Sequence, residues 1–450
     1  MSQHRPQNDI DEFFSTDRTR GRDEAVELST GSYREHLYPL QDEVLAPYRG
    51  MSYEEFTADR YRAPFLRELL AGWRELYDEP FVGITTDGRI RDDVYRLSAA
   101  GTAASADPFA PGSAEAAMPA AAPAATALLD LLTDEQRAAV TYPLDAPEWR
   151  GWSNPEFVFF RTGLRLEDQS ALIVEAVHEV LRASLSAPGY ARVREAMELN
   201  GYLGELVELP TIMNPGSYWF AIFGDPAAGS PWGWQLFGHH VALNFVTVGG
   251  RDVIAPVFIG AEPALAADER PPLFDAREQW AIELAESLTP EQRERAVVFS
   301  SVLDPAMPAG RLHPADERHV AGAFRDNRVI PYEGISAAEL SAAQRRLLER
   351  IIEDFLLLLR PEQRRATLAE AVAHLDETHL SWYGATDGSQ PFYFRVHGPG
   401  ILAELDHHAG VWLSNRLPAR FHVHTTLRHP NGNDYGKAYL AQWRRAHPEG

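Results

Sequence analysis

The chain has 450 residues, of which 45% are hydrophobic and 24% are charged, a composition typical of a globular protein with a sizeable core. Its 65 acidic residues outnumber 42 Lys and Arg, and the formal net charge of −23 argues against nucleic acid and anionic membranes as partners. It has no cysteine, which excludes disulfides, thiolate-bound metals and cysteine nucleophiles, so histidine and carboxylate are the main remaining metal ligands.

The polar N-terminal segment lacks the apolar stretch of a signal peptide. The most apolar later run, Phe355–Leu359, is far too short to cross a bilayer. We therefore expect a cytoplasmic protein that makes no use of a membrane. No pattern in the sequence indicates an oligomeric state.

An extension is predicted ahead of the main domain. Residues 1–40 are charged and irregular, which is typical of a mobile arm or a strap over the fold. Within residues 41–126, apolar side chains at helical spacing predict a helix around Phe65–Trp73. An Asp-Gly turn predicts a hairpin over residues 81–97, and the Ala-, Pro- and Ser-rich residues 99–127 predict a linker.

Residues 127–450 predict one main α+β domain, in which a mainly antiparallel sheet is flanked by helices. Helices are predicted at 134–140, 170–185, 190–206, 275–296 and 336–375, and strands at 217–223, 234–248, 253–259 and from 380 onwards. Residues 305–334 have no strong periodicity and predict a covering loop. The sequence gives no sign of an internal repeat.

The predicted C-terminal strands carry the residues with the most distinctive chemistry. Glu404 and Asp406, and then His422 and His424, recur at every second position, so each pair shares one face of a strand. Two such strands could place a carboxylate opposite the histidines and hold one transition-metal ion, and Fe, Cu and Zn all suit these ligands. Glu404 is favoured as the ligand and Asp406 as the partner of a histidine N–H.

Two alternatives remain open for the acidic pair. Glu404 and Asp406 could tie down an arginine in a structural network. They could also serve as acid and base without a metal, as in glycoside hydrolysis, although this would leave the histidines unexplained.

A further histidine pair lies in the stretch 237–245, which is interpreted as one strand. His239 falls on its apolar face, whereas His240 falls with Asn244 on a small and polar face. Both histidines are candidate ligands, with His240 favoured, and Asn244 is expected to orient a substrate or a ligand. The alternative for His239 is a buried, hydrogen-bonded core histidine.

Several arginines could grip the carboxylate of a substrate. Arg428 follows the H-x-H pair along the same strand, and Arg161 and Arg165 could form the same clamp from another side. The residues after Arg428 also have the composition of a simple turn.

Five long motifs carry a family resemblance. They are WSNPEF (152–157), PWGWQLFGHHVALNF (231–245), AFRDNRVIPYEGI (323–335), LAELDHH (402–408) and HVHTTLRHPNGNDYG (422–436). From about Pro80 to the C-terminus, the chain resembles the family of unknown function numbered 3500. The pattern of that family includes the GHH, E-x-D and H-x-H motifs but not His397 or His429, and the resemblance implies no particular reaction.

These features predict a metal-dependent enzyme that acts on a small organic molecule, with Asp406, Arg428 and Asn244 as the candidate catalytic residues. An oxidoreductase that uses iron or copper is slightly preferred over a zinc hydrolase, because no separate general base is evident. A protein that binds a metal or small ligand without chemistry is a further possibility. So is a structural role, in which the histidines merely hydrogen-bond one another.

Overall fold

A computed structural model of the chain describes residues 31–97 apart from 40 and 43, and then residues 121–266, 270–313 and 315–448. In these ranges the chain forms eleven α-helices and one mixed sheet of twelve strands, which confirms the predicted α+β class. Most of the predicted arm and of the predicted linker lies outside the described residues. None of the described helices combines the length and the apolarity needed to cross a bilayer.

The helices are α1 (Tyr53–Arg60), α2 (Pro64–Asp78), α3 (Ala121–Leu131), α4 (Asp134–Val140), α5 (Ala171–Ser184), α6 (Ala187–Leu206), α7 (Asp275–Glu286), α8 (Pro290–Ala296), α9 (Ala342–Phe355), α10 (Pro361–Ala373) and α11 (Lys437–Ala446). Several begin where local chemistry dictates. Thr133 and Gln136 form a capping box that starts α4, and Thr289 and Gln292 do the same for α8. Pro361 occupies the first turn of α10, which ends the predicted long helix as expected.

The strands are β1 (Thr141–Tyr142), β2 (Leu164–Arg165), β3 (Tyr218–Phe223), β4 (Trp232–Gly238), β5 (Val241–Val248), β6 (Arg251–Ala261), β7 (Val297–Phe299), β8 (Ile335–Ser336), β9 (His379–Tyr383), β10 (Tyr393–His397), β11 (Leu402–His407) and β12 (Val423–Arg428). Their order in the sheet is β1-β3-β4-β5-β6-β12-β11-β10-β9-β7, with β2 beside β3 and β8 beside β9. The β1–β3 and β7–β9 pairs are parallel, and the other pairs are antiparallel.

This strand order is the same from either edge because the fold is built from two copies of one unit. The first unit runs from α3 to β6 and the second from α7 to β12, and each has the same succession of helices and strands. Phe223 pairs with Gly233 in the first unit, and Tyr383 pairs with Tyr393 at the same place in the second. The two units meet where β6 lies antiparallel to β12, with Val257 opposite Leu427.

The expectation that the chain has no internal repeat is therefore wrong. The likeness between the units survives mainly in turns and helix starts, where few residue types fit. Gly163 and Gly334, for example, both have φ near 90°, and a Cβ on either would collide with a carbonyl oxygen of the neighbouring strand. Along the strands the apolar side chains of the two units differ, so the hydrophobic periodicity of the sequence does not show the repeat.

Each face of the sheet has its own hydrophobic core. One face packs against helices α3, α5, α6, α7 and α9, and both Trp234 of the first unit and Trp382 of the second lie in this core. The other face packs against α1, α2, α11 and several loops, including the predicted covering loop. Polar side chains of the central strands point to this second face. The N-terminal helices α1 and α2 therefore cover any site that these side chains form.

Three local predictions need correction. Residues 81–97 form no hairpin, because Thr85 instead bridges to Val329 in the covering loop. The predicted linker is too long, because α3 begins at Ala121 and packs on α5. The stretch 237–245 is not one strand: the chain reverses at His239 and His240, between β4 and β5.

Candidate metal centre

Strands β11 and β12 are antiparallel neighbours, as the alternating patterns predict. Asp406 lies opposite His424, and Glu404 lies opposite Thr426. His422 directly precedes the first residue of β12. The turn between β4 and β5 brings His240 to the same place from the first unit.

Three buried imidazoles converge at this place. The Nε2 atom of His424 lies 3.0 Å from Nε2 of His422 and 3.2 Å from Nε2 of His240. The ligand atoms of the three residues all lie within 4.8 Å of one another, and none of the side chains is more than 3% exposed. Two bonds of about 2.0–2.1 Å from one ion separate their nitrogens by about 2.9 Å at a right angle and about 3.3 Å at a tetrahedral angle. Both spacings from His424 fall between these limits and the third pair lies within 4.8 Å, so the three residues could share one ion.

The surrounding backbone fixes how these rings point. Nδ1 of His422 donates to the carbonyl oxygen of Ala409 at 2.8 Å, which leaves the lone pair of a neutral ring on Nε2. His240 has a φ of 63°, a left-handed conformation, and its backbone N–H donates to Oδ1 of Asn154. Gly260 lies under the site, where a Cβ would come within 2.7 Å of His424 Cδ2 and 3.1 Å of His240 Cδ2.

Burial also favours the neutral state that metal binding requires. It holds the pKa of His424 well below the usual value of 6.5, and the neighbouring histidines lower that pKa further. Burial has the same effect on the pKa of His240, again reinforced by nearby histidines. At neutral pH both rings are therefore neutral, the state in which a ring nitrogen can bind a metal.

A second group of potential ligands adjoins the first. It consists of His319, Asp406 and His408, and the rings of His408 and His424 are 3.9 Å apart. Asp406 is already neutralised by the buried Arg318, whose Nε donates to Oδ1 at 2.6 Å and whose backbone N–H donates to Oδ2 at 3.1 Å. Burial lowers the pKa of His319, but nearby carboxylates outweigh burial and raise that pKa, which favours a positive ring. A cation would be repelled here, so the three-histidine group is the better metal site.

Glu404, the favoured carboxylate ligand, is not part of either group. Its oxygens accept hydrogen bonds from the backbone N–H groups of Val320 and Ala321 and from the hydroxyl of Tyr393, at 2.7–3.0 Å. It holds the covering loop onto the sheet. Asp406 does partner a histidine, since Oδ2 lies 3.1 Å from Nε2 of His408, but that histidine is not one of the H-x-H pair.

The other predicted site residues have internal roles. Arg428 is fully buried between Asp326 and Asp434, and its guanidinium also donates to two carbonyl oxygens. Asn244 accepts from Gln235 and donates to the carbonyl of Pro256, so both its amide oxygen and its amide nitrogen already have protein partners.

The two remaining arginines and the first histidine of the GHH motif also have partners. Arg161 forms an exposed ion pair with Glu54, and Arg165 pairs with Glu167. His239 hydrogen-bonds Asn200 through Nδ1 at 2.8 Å, the core role considered for it in the sequence. Its ring stacks on that of His240 at 3.8 Å and so supports the site from behind.

A cavity that is open to solvent lies over the three histidines. Its lining includes apolar side chains, namely Leu66, Leu69, Pro155, Phe157 and Val411, and polar ones, namely Arg60, Glu156, Glu317 and His408. A small organic molecule could therefore lie in contact with the candidate metal ligands.

Several polar residues of this region were not predicted from the sequence. Arg60 and Glu156 lie far from the histidine motifs in sequence, and only the fold brings them to the cavity. His319 belongs to the covering loop, where the charged run from Asp316 to His319 was the available signal. His408 ends the LAELDHH motif, beyond the alternating pair Glu404 and Asp406.

The family described as "Protein of unknown function (DUF3500)" matches residues 114–437. The chain belongs to this family. The match confirms the resemblance seen in the motifs and covers most of the chain, including all three converging histidines. No curated protein and no solved structure matches the chain. The family itself assigns no reaction, so the function has to be argued from the site.

Proposed function

We propose that the chain is a metal-dependent enzyme that acts on a small organic molecule, with the ion bound by His240, His422 and His424. The observation that carries this proposal is the convergence of three buried Nε2 atoms at the wall of a cavity. In an ordinary core, buried histidines pair with carbonyls or carboxylates rather than pointing their Nε2 atoms at one another. A shared cation accounts for this arrangement.

As the first candidate reaction, we propose that the enzyme is an oxidoreductase that uses copper or iron. Sites made of nitrogen ligands bind Cu²⁺ most tightly among the divalent first-row metals, and three neutral imidazoles leave the charge of the ion uncompensated. A copper or iron ion would supply one-electron chemistry, whereas zinc would activate water. The apolar wall of the cavity would exclude water from a reactive intermediate.

A zinc hydrolase is the second candidate, and Glu156 favours it. This carboxyl group lies in the wall of the cavity, is 8% exposed, and has its pKa raised by burial. A raised pKa suits a carboxyl that exchanges protons near neutral pH, which is the role of a general acid or base. No such group was evident in the sequence, and for that reason the oxidoreductase was only slightly preferred there.

Metal analysis of protein purified without a histidine tag tests the proposal. We expect close to one equivalent of metal in the wild type and almost none in His422→Ala and His424→Ala. His429→Ala is the matched control, because this buried histidine hydrogen-bonds the carbonyl of Gly400 and lies outside the three-histidine group. Full metal content in His424→Ala would overturn the proposal.

The identity of the metal and one assay separate the two reactions. Stoichiometric copper or iron, with oxygen uptake in the presence of small organic acids, supports the oxidoreductase. Stoichiometric zinc, with activity that falls in Glu156→Gln while metal content stays constant, supports the hydrolase. A metal-loaded protein that turns over no compound in either assay would be a binding protein.

A further inference from the structure

Arg60 is a buried cation without a carboxylate partner among the described residues. It is the last residue of α1 and is 5% exposed. Its one hydrogen-bond acceptor in the described part of the chain is the hydroxyl of Tyr48, at a long 3.5 Å from Nη1, and Nε has no acceptor. A buried charge without a partner is costly, so proteins rarely keep one without a use.

Other buried arginines of this fold are neutralised. Arg318 contacts the carboxylates of Glu317 and Asp406, and Arg428 contacts those of Asp326 and Asp434. Around Arg60, aromatic rings take the place of carboxylates, with Tyr48, Phe56 and Phe157 about 6 Å from its guanidinium carbon. Rings hold a guanidinium in position without cancelling its charge.

The location of Arg60 indicates which kind of group could pair with its guanidinium. Arg60 lines the same cavity as the three histidines, beside the apolar side chains of Leu66, Leu69 and Phe157. Glu156 lies near enough to attract the guanidinium but forms no ion pair with it. A negatively charged group entering the cavity would therefore meet a fixed cation, and a carboxylate matches the planar fork of arginine with two parallel hydrogen bonds.

We infer that Arg60 is the anion-binding residue of this cavity and that the ligand is a small organic acid bound through its carboxylate. The apolar part of the acid packs on Leu66, Leu69 and Phe157, and its far end reaches the histidines. The reaction at that end rests on the proposed function, but carboxylate binding at Arg60 does not require a metal.

The cavity residues of α1 and α2 bear on which organic acid is bound. The family match begins at residue 114, whereas α1 and α2, which contribute Arg60, Leu66 and Leu69, precede it. The metal ligands come from the repeated units, and the carboxylate-binding side of the cavity comes from the N-terminal helices. These helices would thus select which acid reaches the histidines.

Calorimetric titration of the full chain with benzoate, and with the neutral benzamide of similar shape, tests the inference. We expect wild type to bind benzoate at least about 10-fold more tightly than benzamide, since a hydrogen bond to a charged group contributes about that factor. Arg60→Gln should lose this preference, and Arg60→Lys should keep part of it. Arg161→Gln, which alters an exposed ion pair with Glu54, should bind benzoate as wild type does.

Equal affinity of wild type for benzoate and benzamide, or no benzoate binding at all, would overturn the inference. So would wild-type benzoate affinity in Arg60→Gln. If Arg60→Gln does not fold, the wild-type preference and the Arg60→Lys variant decide the question. The titrations are made on metal-free protein, so that failure of the proposed function can be told apart from failure of this inference. His424→Ala should accordingly lose its metal and still bind benzoate.

Discussion

Replacing Glu404 by glutamine distinguishes a metal ligand from a structural carboxylate. Glu404 is fully buried and accepts hydrogen bonds from two backbone N–H groups of the covering loop and from Tyr393. Burial alone would raise the pKa of this carboxyl, but His319, Arg395 and the N–H of Val320 outweigh burial and hold the pKa at about 2. The folded chain therefore releases this proton far more readily than the unfolded chain, whose carboxyl has the ordinary pKa of 4.5.

The lowered pKa sets both the size and the pH range of the effect. A folded-state pKa below the unfolded value stabilises the fold above pH 4.5, and this stabilisation is lost as the pH falls towards 2. The difference between the folded and unfolded pKa of Glu404 corresponds to a stabilisation of the fold by roughly 3 kcal/mol at pH 7 and about half of that near pH 3. Glutamine adds a further cost, because its NH₂ group must face an N–H donor of the covering loop.

Guanidinium unfolding at pH 7 and pH 3 measures the effect, with Glu362→Gln, an exposed glutamate in the first turn of α10, as the control. We expect Glu404→Gln to be less stable by at least roughly 3 kcal/mol at pH 7, with a smaller difference at pH 3 and unchanged metal content. A variant that loses its metal but keeps wild-type stability would show that Glu404 is a ligand. A difference of equal size at both pH values would refute the electrostatic reasoning.

Four further outcomes are expected. Arg428→Met should cost about 3–5 kcal/mol in chemical unfolding, because it leaves the buried Asp434 without its ion-pair partner, yet metal content should not change. Gly260→Ala should weaken metal binding in a chelator competition, since its Cβ would press on the rings of His424 and His240; wild-type affinity would contradict the packing described. Because burial holds the pKa of both histidines well below 6.5, dialysis at about pH 6 should leave the metal bound, and half-loss at pH 6.5 would contradict this. Metal titration should saturate at one equivalent, whereas two equivalents would assign an ion to the second ligand group as well.

Strand alternation was the most informative signal in this sequence. It correctly predicted adjacent polar-faced strands that carry Asp406 and His424, because side-chain direction along a strand depends only on local geometry. It could not locate His240 properly, since a reversal of the chain replaces the predicted continuous strand. Two turn residues between long apolar runs carry too little turn chemistry to be recognised without Gly or Asn at the centre.

The partners of charged residues were beyond prediction for a different reason. Glu404 was expected to bind the metal because it shares a strand face with Asp406, and Arg428 was expected to bind a substrate carboxylate because it follows the H-x-H pair. Asp326 and the backbone of residues 320–321, which neutralise them, come from a loop about 80–100 residues earlier in the chain. Such pairings depend on the path of the chain through the fold. For the same reason the unpaired charge of Arg60 became visible only in the structure.

The two-unit architecture has a consequence for how the site arises during folding. His240 belongs to the first unit, His422 and His424 belong to the second, and 184 residues separate His240 from His424 along the chain. The imidazoles therefore converge only after β6 and β12 have joined, so the ion would enter a nearly finished protein rather than nucleate it. Metal uptake during refolding would accordingly be a late event, and neither half produced alone would retain the ion.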